Sequence, residues 1–242
     1  MKNVILASTS TVHGSGFLEY LYDELIASFD GIDHVLFIPY ARPSGLSYED
    51  YTSKAKLAFK KININLTGIH EQQNPENAIK SAKGIFIGGG NTFVLTKTLY
   101  DNNLIPVLKE VVETGTPFLG TSAGSNICGQ TIGTTNDMPI VYPPSFIGLG
   151  LIPYNINPHY LDPDPGSTHM GETRETRINE FHVFNEIPVI GLREGSWIKL
   201  KGSEIKLQGN KTARVFAPGI PAFEISSGSQ IEKSINNILK AG

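Results

Sequence analysis

Short apolar runs alternate with amphipathic stretches through the first half of this 242-residue chain. The apolar runs predict buried strands, and they cover residues 4–7, 34–39, 62–66, 85–87 and 117–120. Between them, apolar residues recur at helical spacing, which predicts helices over residues 17–26, 48–59, from Asn91 onward and over 104–112. Strands and helices at this period predict βαβ units on a parallel sheet, with right-handed crossovers that put helices on both faces. We therefore expect an α/β fold.

After about residue 129 the pattern changes. Segments rich in proline and glycine, residues 138–144 and 157–166, indicate ordered loops around a site. Beyond them the sequence predicts further elements: a helix over 171–184, a strand over 189–192, a hairpin over 197–207 and a closing helix over 231–239. Because neither a repeat nor a linker interrupts the chain, we expect residues 1–242 to form a single domain.

Composition and charge exclude several classes of protein. The chain has 20 Lys and Arg against 23 Asp and Glu, and this net charge of -3 argues against a nucleic-acid partner. A single cysteine, Cys128, excludes an internal disulfide framework and an all-cysteine metal site. The sequence contains neither a signal-peptide pattern nor an apolar run long enough to span a membrane. We expect a cytoplasmic protein without a membrane partner, and a homodimer remains open.

The sharpest local signal is the segment Gly-Thr-Ser-Ala-Gly at residues 120–124. A predicted strand leads directly into it and helical sequence follows, which is the arrangement of a nucleophile elbow. In such an elbow a tight turn holds the serine in a strained conformation, and the following helix directs its N–H groups toward developing negative charge. Ser122 is therefore the predicted nucleophile.

A nucleophilic serine needs donors for the oxyanion that forms on the substrate. The N–H of the residue after the nucleophile, Ala123, is the first candidate. Three consecutive glycines end the strand at 85–87, and two of them, Gly89 and Gly90, are candidates for the second donor. Since parallel strands collect ligand chemistry at their carboxyl ends, both glycine clusters are expected at one edge of the sheet.

The serine also needs a general base and a group that orients that base. His159 follows Pro158, which stiffens the approach to a loop, and this suits a general base. Asp137, Asp162, Asp164 and Glu194 are the candidate acids. Glu194 is preferred because it follows the predicted strand at 189–192, again at a carboxyl end.

A metal site built from His159, Asp162, Asp164 and His169 is the less favoured alternative. The spacing of these four residues matches no helical pair of metal ligands. We therefore expect neither a metal ion nor a cofactor.

Five segments together resemble the peptidase E family, the aspartyl dipeptidases among the serine peptidases. They are residues 87–92, 120–126, 157–160, 171–174 and 191–195. The resemblance covers nearly the whole chain and keeps the order and length of the family. It implies a flavodoxin-like parallel sheet related to the class I glutamine amidotransferases, with a serine in place of their cysteine. The hairpin predicted over 197–207 adds a C-terminal β-hairpin to this fold.

The same resemblance implies an activity and its residues. The family cleaves dipeptides that begin with aspartate, and its Ser-His-Glu triad falls here on Ser122, His159 and Glu194. The substrate would be a small peptide. Arg174 matches the residue that would bind the aspartyl carboxylate, although Arg177, one helical turn away, could do the same. Asp137 is implied as a further substrate-site residue.

Three alternatives remain open. A cyanophycinase-like enzyme would release β-linked aspartyl dipeptides from a polymer. An α/β-hydrolase esterase shares Gly-x-Ser-x-Gly but orders its triad as serine, acid, histidine, and only Asp137 would satisfy that order. A non-catalytic binding protein on the same sheet is disfavoured because serine, histidine and glutamate are all present.

Overall fold

The computed structural model describes residues 1–164, 166, 168 and 170–241. His169, which belongs to the alternative metal site, lies outside the described residues. The described strands are β1 (Asn3–Ala7), β2 (His34–Ile38), β3 (Asn65–Gly68), β4 (Ile85–Ile87), β5 (Phe118–Thr121), β6 (Asn155–Pro158), β7 (Val189–Leu192), β8 (Ser196–Lys201), β9 (Glu204–Gly209), β10 (Ala213–Ala217) and β11 (Ile220–Ile225). The described helices are α1 (Tyr22–Ser28), α2 (Tyr48–Lys60), α3 (Pro75–Ser81), α4 (Thr92–Asp101), α5 (Leu104–Thr114), α6 (Ala123–Asn126), α7 (Arg174–Phe184) and α8 (Ile231–Ala241).

The larger sheet has seven strands in the order β3-β2-β4-β5-β1-β8-β9. Its first five strands are parallel, whereas β8 runs antiparallel to β1 and forms a hairpin with β9. Strands β2 to β5 follow the flavodoxin-like order, and β1 occupies the place of the fifth strand. The predicted α/β sheet is confirmed, and the predicted hairpin over 197–207 is the β8–β9 pair.

A second sheet of four strands, in the order β11-β10-β7-β6, was not predicted. Strands β6 and β7 are parallel neighbours, and β10 runs antiparallel to both β7 and β11. The strand at 189–192 was expected beside the other strands at one sheet edge, and that expectation is wrong. Because β8 already pairs with the free side of β1, β7 pairs with β6 and β10 instead.

Helices cover both faces of the larger sheet, as the crossover rule predicts. On one face, buried residues of α1 and α2 pack against alternate residues of β1 and β2, such as Ile5 and Phe37. On the other face, α3, α4 and α5 pack against the intervening residues, such as Leu6 and Ile38. This second cluster continues into the smaller sheet through Ile190 and other buried side chains, so the two sheets share one apolar core. Within the described chain, none of the helices has the length and apolar character needed to cross a bilayer.

Candidate active site

Ser122 lies at the sharp turn between β5 and α6. Its φ of 54° and ψ of -113° are strained for a residue with a side chain, as expected of a nucleophile elbow. Its N–H donates to the carbonyl oxygen of Ala7 at 3.1 Å, which ties the turn to the end of β1. A Cβ atom on Gly124 would collide with the carbonyl oxygen of Ile87 in β4. The second glycine of the segment therefore permits the close approach of the elbow to the neighbouring strand.

Ser122, His159 and Glu194 form a continuous chain of hydrogen-bond contacts. The Nε2 atom of His159 lies 2.9 Å from the Oγ of Ser122, and its Nδ1 atom lies 2.6 Å from the Oε1 of Glu194. The side chains of His159 and Glu194 are 37% and 48% exposed, so this chain is open to a substrate from solvent. The three groups have the contacts of a nucleophile, a base and an orienting acid.

Both sheets contribute residues to the triad of Ser122, His159 and Glu194. Ser122 follows β5 of the larger sheet, whereas His159 and Glu194 follow β6 and β7 of the smaller one. Since β6 and β7 are parallel and Pro158 is paired with Leu192, their carboxyl ends lie side by side. The carboxyl ends of parallel strands thus meet across two sheets rather than along one.

The other candidate acids have different partners. Asp137 accepts hydrogen bonds from the N–H of Thr92 at 2.7 Å and from the hydroxyl of Thr135 at 3.1 Å, so it caps the start of α4. Asp164 accepts from the N–H of Gly166 within its own loop. Glu194 is therefore the carboxylate that contacts His159. Among the described residues, no group of three His, Cys, Asp or Glu side chains is arranged to hold a metal ion.

Asp162 belongs to an ion-pair network beside the catalytic candidates. Arg193 donates to both carboxylate oxygens of Asp162, at 2.6 and 2.8 Å, and to both oxygens of Glu224, at 2.8 and 2.9 Å. The Arg193 bonds lower the pKa of Glu224 to about 2 against the opposing effect of burial. Arg193 thereby connects the loop after His159 to β11.

The glycines at the end of β4 lie against the nucleophile. A Cβ atom on Gly89 would come within 2.9 Å of the Cβ of Ser122. The N–H of Gly89, however, donates to the hydroxyl of Tyr51 at 3.0 Å. Of the two glycines considered as oxyanion donors, Gly89 is thus engaged by Tyr51. Ala123 begins α6, where a backbone N–H has no partner within its own helix.

Two arginines lie on the first turns of α7. Arg174, its first residue, is half-buried, and its pKa is lowered by burial and then by the charge of Arg177, while the charge of Asp137 opposes both. Arg177 is exposed, and its Nε lies 3.5 Å from the Oε2 of Glu172. A cavity of about 420 Å³ opens between the loop after His159 and this helix; its lining includes Leu161, Asp162, Asp164, Glu172, Arg174 and Arg177.

The sequence profile of peptidase family S51 matches residues 4–208. The chain belongs to this family. Peptidase E of Streptomyces coelicolor is 43% identical over 234 residues, which are 97% of this chain and 95% of that protein. A "Probable alpha-aspartyl dipeptidase" of Drosophila melanogaster is 43% identical over 218 residues, which are 89% of this chain and 90% of that protein. The resemblance inferred from the five sequence segments is confirmed.

The fold also agrees with a solved structure of distant sequence. The crystal structure of a peptidase from an acI-B1 Actinobacterium superimposes with a TM-score of 0.67 over 96% of each chain, at 17% identity. At that identity the likeness establishes the fold of this S51 member and nothing finer.

Sequence reasoning missed three residues that contact the site. Tyr51 is one of the buried residues of α2. Because buried tyrosines are common on the apolar faces of helices, the sequence around Tyr51 does not indicate a role in the site. Arg193 precedes the preferred acid, but its partners could not be foreseen without the second sheet. Ser8 follows β1 directly, and the rule that ligand chemistry gathers at carboxyl ends of parallel strands could have identified it.

Proposed function

We propose that this S51 member is a serine-type dipeptidase that hydrolyses peptides beginning with aspartate through an acyl-enzyme on Ser122. The observation that carries the proposal is the unbroken series of contacts from Ser122 through His159 to Glu194, at 2.9 and 2.6 Å. The relatives named peptidase E and alpha-aspartyl dipeptidase support the substrate class.

In the acylation step the Oγ of Ser122 attacks the carbonyl carbon of the aspartyl residue, and the Nε2 of His159 takes the hydroxyl proton. Glu194 keeps the Nδ1 proton of His159 in place and stabilises the imidazolium that forms. The N–H groups of Ala123 and Gly90 stabilise the oxyanion, with Gly90 preferred because Tyr51 engages Gly89. His159 then returns its proton to the departing amine as the C–N bond breaks.

In the deacylation step water attacks the acyl-enzyme and His159 takes one of its protons. Collapse of the second tetrahedral intermediate releases aspartate, and the same proton returns to the Oγ of Ser122. The exposure of His159 allows water to reach the ester from the solvent side.

Substrate selection is assigned to Arg174. A guanidinium donates two parallel hydrogen bonds that match the two oxygens of an aspartyl carboxylate. Arg177 is exposed and already faces Glu172, whereas Arg174 is half-buried, where a charge pair is less screened. The charge of Asp137 raises the pKa of Arg174 against the effect of burial, which supports Asp137 as the further substrate-site residue.

The alternatives are less well supported. An esterase of the α/β-hydrolase type needs Asp137 as its acid, but the Asp137 carboxylate accepts bonds from Thr92 and Thr135 at the start of α4. A cyanophycinase-like activity has no relative in its favour among the similar proteins described above.

The organisation of the protein is part of the same proposal. We propose a single domain, supported by the core that the two sheets share. We also propose a cytoplasmic enzyme that needs neither cofactor nor nucleic acid, supported by the mild charge of -3. A homodimer is proposed on the exposed apolar side chains of one loop, among them Met138, Tyr142 and Ile147.

A panel of four substrates, α-Asp-X, Asn-X, Glu-X and β-Asp-X, tests the function. We expect efficient cleavage of α-Asp-X alone. Asn-X lacks the side-chain charge, and Glu-X and β-Asp-X place the free carboxylate at a different distance from the scissile bond.

Ser122→Ala is expected to lose turnover with its fold intact, whereas Ser81→Ala, which removes an exposed hydroxyl at the end of α3, serves as the control. Equal cleavage of Asn-X and Asp-X removes the charge-pairing argument, and turnover by folded Ser122→Ala removes the mechanism.

A further inference from the structure

Residues at the end of β1 contact all three segments that carry the triad. The carbonyl oxygen of Ala7 accepts the N–H of Ser122 at 3.1 Å. The next residue, Ser8, is completely buried, and its Oγ lies 2.9 Å from the backbone nitrogen of His159 and 2.7 Å from the carbonyl oxygen of Leu192, two residues before Glu194.

The direction of the two Ser8 bonds is fixed by chemistry. The backbone N–H of His159 can only donate, so the Ser8 oxygen accepts from it. The carbonyl oxygen of Leu192 can only accept, so the single hydroxyl proton of Ser8 points toward it. The Ser8 hydroxyl therefore links the end of β6 to the end of β7. The backbone N–H of Ser8 donates to the carbonyl oxygen of Ser196 at 3.1 Å.

The backbone of His159 needs such support. Its φ of 53° lies in the left-handed region, which a residue with a side chain adopts only when surrounding contacts impose it. The Ser8 hydroxyl satisfies the N–H of His159 itself, and the N–H of Tyr160 donates to the same Leu192 oxygen at 3.1 Å. The two consecutive bonds fix the turn from which the imidazole reaches Ser122.

We infer that Ser8 is a positioning residue for the catalytic triad, an inference that rests on the proposed function. It holds His159 and the Glu194 segment in register with each other, next to the Ala7 carbonyl that holds the elbow, although it touches no substrate. Ser8 is not a second nucleophile, because its proton is bonded to the Leu192 carbonyl oxygen and no part of it reaches solvent.

Ser8→Ala tests the inference, and Ser28→Ala is the matched control. Ser28 is also buried and lies near the opposite end of β1, where the side chain of Asn3 donates to its carbonyl oxygen at 2.6 Å. We expect kcat of Ser8→Ala to fall about 10- to 100-fold, as for small misplacements of catalytic groups. KM should stay within about threefold, because ground-state binding is unchanged. All rates are normalised to the folded fraction measured by near-ultraviolet circular dichroism.

A second readout does not depend on turnover. The short Nδ1 contact of His159 with Glu194 predicts a low-field imidazole proton resonance in the NMR spectrum, assigned by its disappearance in His159→Gln. We expect this resonance to shift or broaden in Ser8→Ala and to remain unchanged in Ser28→Ala.

The outcomes separate this inference from the proposed function. If the wild type fails to cleave Asp-X while the resonance responds to Ser8→Ala alone, the proposed function is wrong and the positioning role stands. If the wild type is active and Ser8→Ala has an unchanged kcat, the positioning role is wrong. A fall in kcat with an unaltered resonance also overturns it, because Ser8 would then act by a route other than His159.

Discussion

Two regions of the candidate site, the triad side (Ser122, His159 and Glu194) and the arginine side (Arg174 and Arg177), are built differently. On the triad side, the Ala7 carbonyl oxygen accepts from the N–H of Ser122 and the Ser8 hydroxyl accepts from the N–H of His159. These two bonds hold Ser122 and His159, both of which have strained positive φ angles. On the arginine side, Arg174 and Arg177 extend from the first turns of a helix. That helix is anchored by the buried Ile178 and by the ion pair of Glu175 with Arg214 at 3.0 Å.

This difference matches the demands of the two tasks. Nucleophilic catalysis requires reacting atoms held to within a fraction of an ångström, which strand ends and backbone bonds provide. Recognition of a carboxylate relies on charge and on a planar donor pair, and a long side chain on a helix can supply both. Substitutions on the triad side should therefore lower kcat, whereas substitutions on the arginine side should change selectivity and KM.

The largest expected effect comes from Glu194→Gln. The substitution keeps the shape of the side chain but removes the charge that stabilises the imidazolium, and loss of the triad acid typically costs about 10,000-fold in kcat. We expect a similar loss on an Asp-X substrate in steady-state kinetics, with the thermal melting temperature nearly unchanged because Glu194 is half-exposed.

The matched control is Glu172→Gln on the arginine side. Among the described residues the ion-pair partner of Glu172 is the exposed Arg177, so its substitution should change kcat by less than about threefold. A Glu194→Gln enzyme that retains most of its activity would show that another group orients His159.

The residues of the triad side were largely predictable from the sequence. Residues 120–124 and the glycines at 88–90 are local signals, and the parallel arrangement of β4 and β5 brings them together. Its position after a strand predicts Glu194 as the acid, and Glu194 contacts His159 even though that strand belongs to a different sheet. The reason is that β6 and β7 form a parallel pair of their own, so the same carboxyl-end rule applies.

The second sheet itself was not predictable from pattern. Strand β6 has four residues, of which two are asparagines and one is proline, a composition typical of a loop. Strand β11 begins with Ile220-Pro221 and lacks a clear alternation of buried and exposed residues. The preference for Arg174 over Arg177 depends on the partial burial of Arg174 and on the ion pair of Arg177 with Glu172. Neither of these can be predicted from spacing along a helix.

An intermediate effect is expected from Arg174→Ala. Loss of one partner of a buried charge pair typically costs about 2–5 kcal/mol, which is about 30- to 5,000-fold. Because Arg174 is half-buried, we expect kcat/KM on Asp-X to fall toward the lower end of that range. Since asparagine offers no charge to pair, Asn-X cleavage should change much less, and the preference for Asp-X should collapse. Dipeptide competition assays measure this ratio directly.

Arg177→Ala is the matched control for that experiment. Its guanidinium is exposed and already faces Glu172, so its removal should change the ratio by less than about fivefold. The opposite result, in which Arg177→Ala removes the preference and Arg174→Ala retains it, would transfer the role to Arg177.

The smallest effect concerns the outer support of the triad side, the pair of Arg193 with Glu224. Arg193 lowers the Glu224 pKa from its usual 4.5 to about 2, so the pair stabilises the fold above about pH 4.5 and loses this contribution as the pH falls toward 2. Because Glu224 is 40% exposed, screening reduces the contribution to about 1 kcal/mol. Glu224→Gln should therefore lower the free energy of unfolding in urea at neutral pH and match the wild type at about pH 2. Glu204→Gln is the control: the exposed Glu204 pairs with Lys206 and accepts a hydrogen bond from Gln230, and these contacts also lower its pKa. Because solvent screens exposed pairs, this substitution should lower the free energy of unfolding at neutral pH much less than Glu224→Gln does. A Glu224→Gln deficit that persists at low pH would mean that packing rather than charge connects β11 to the loop after His159.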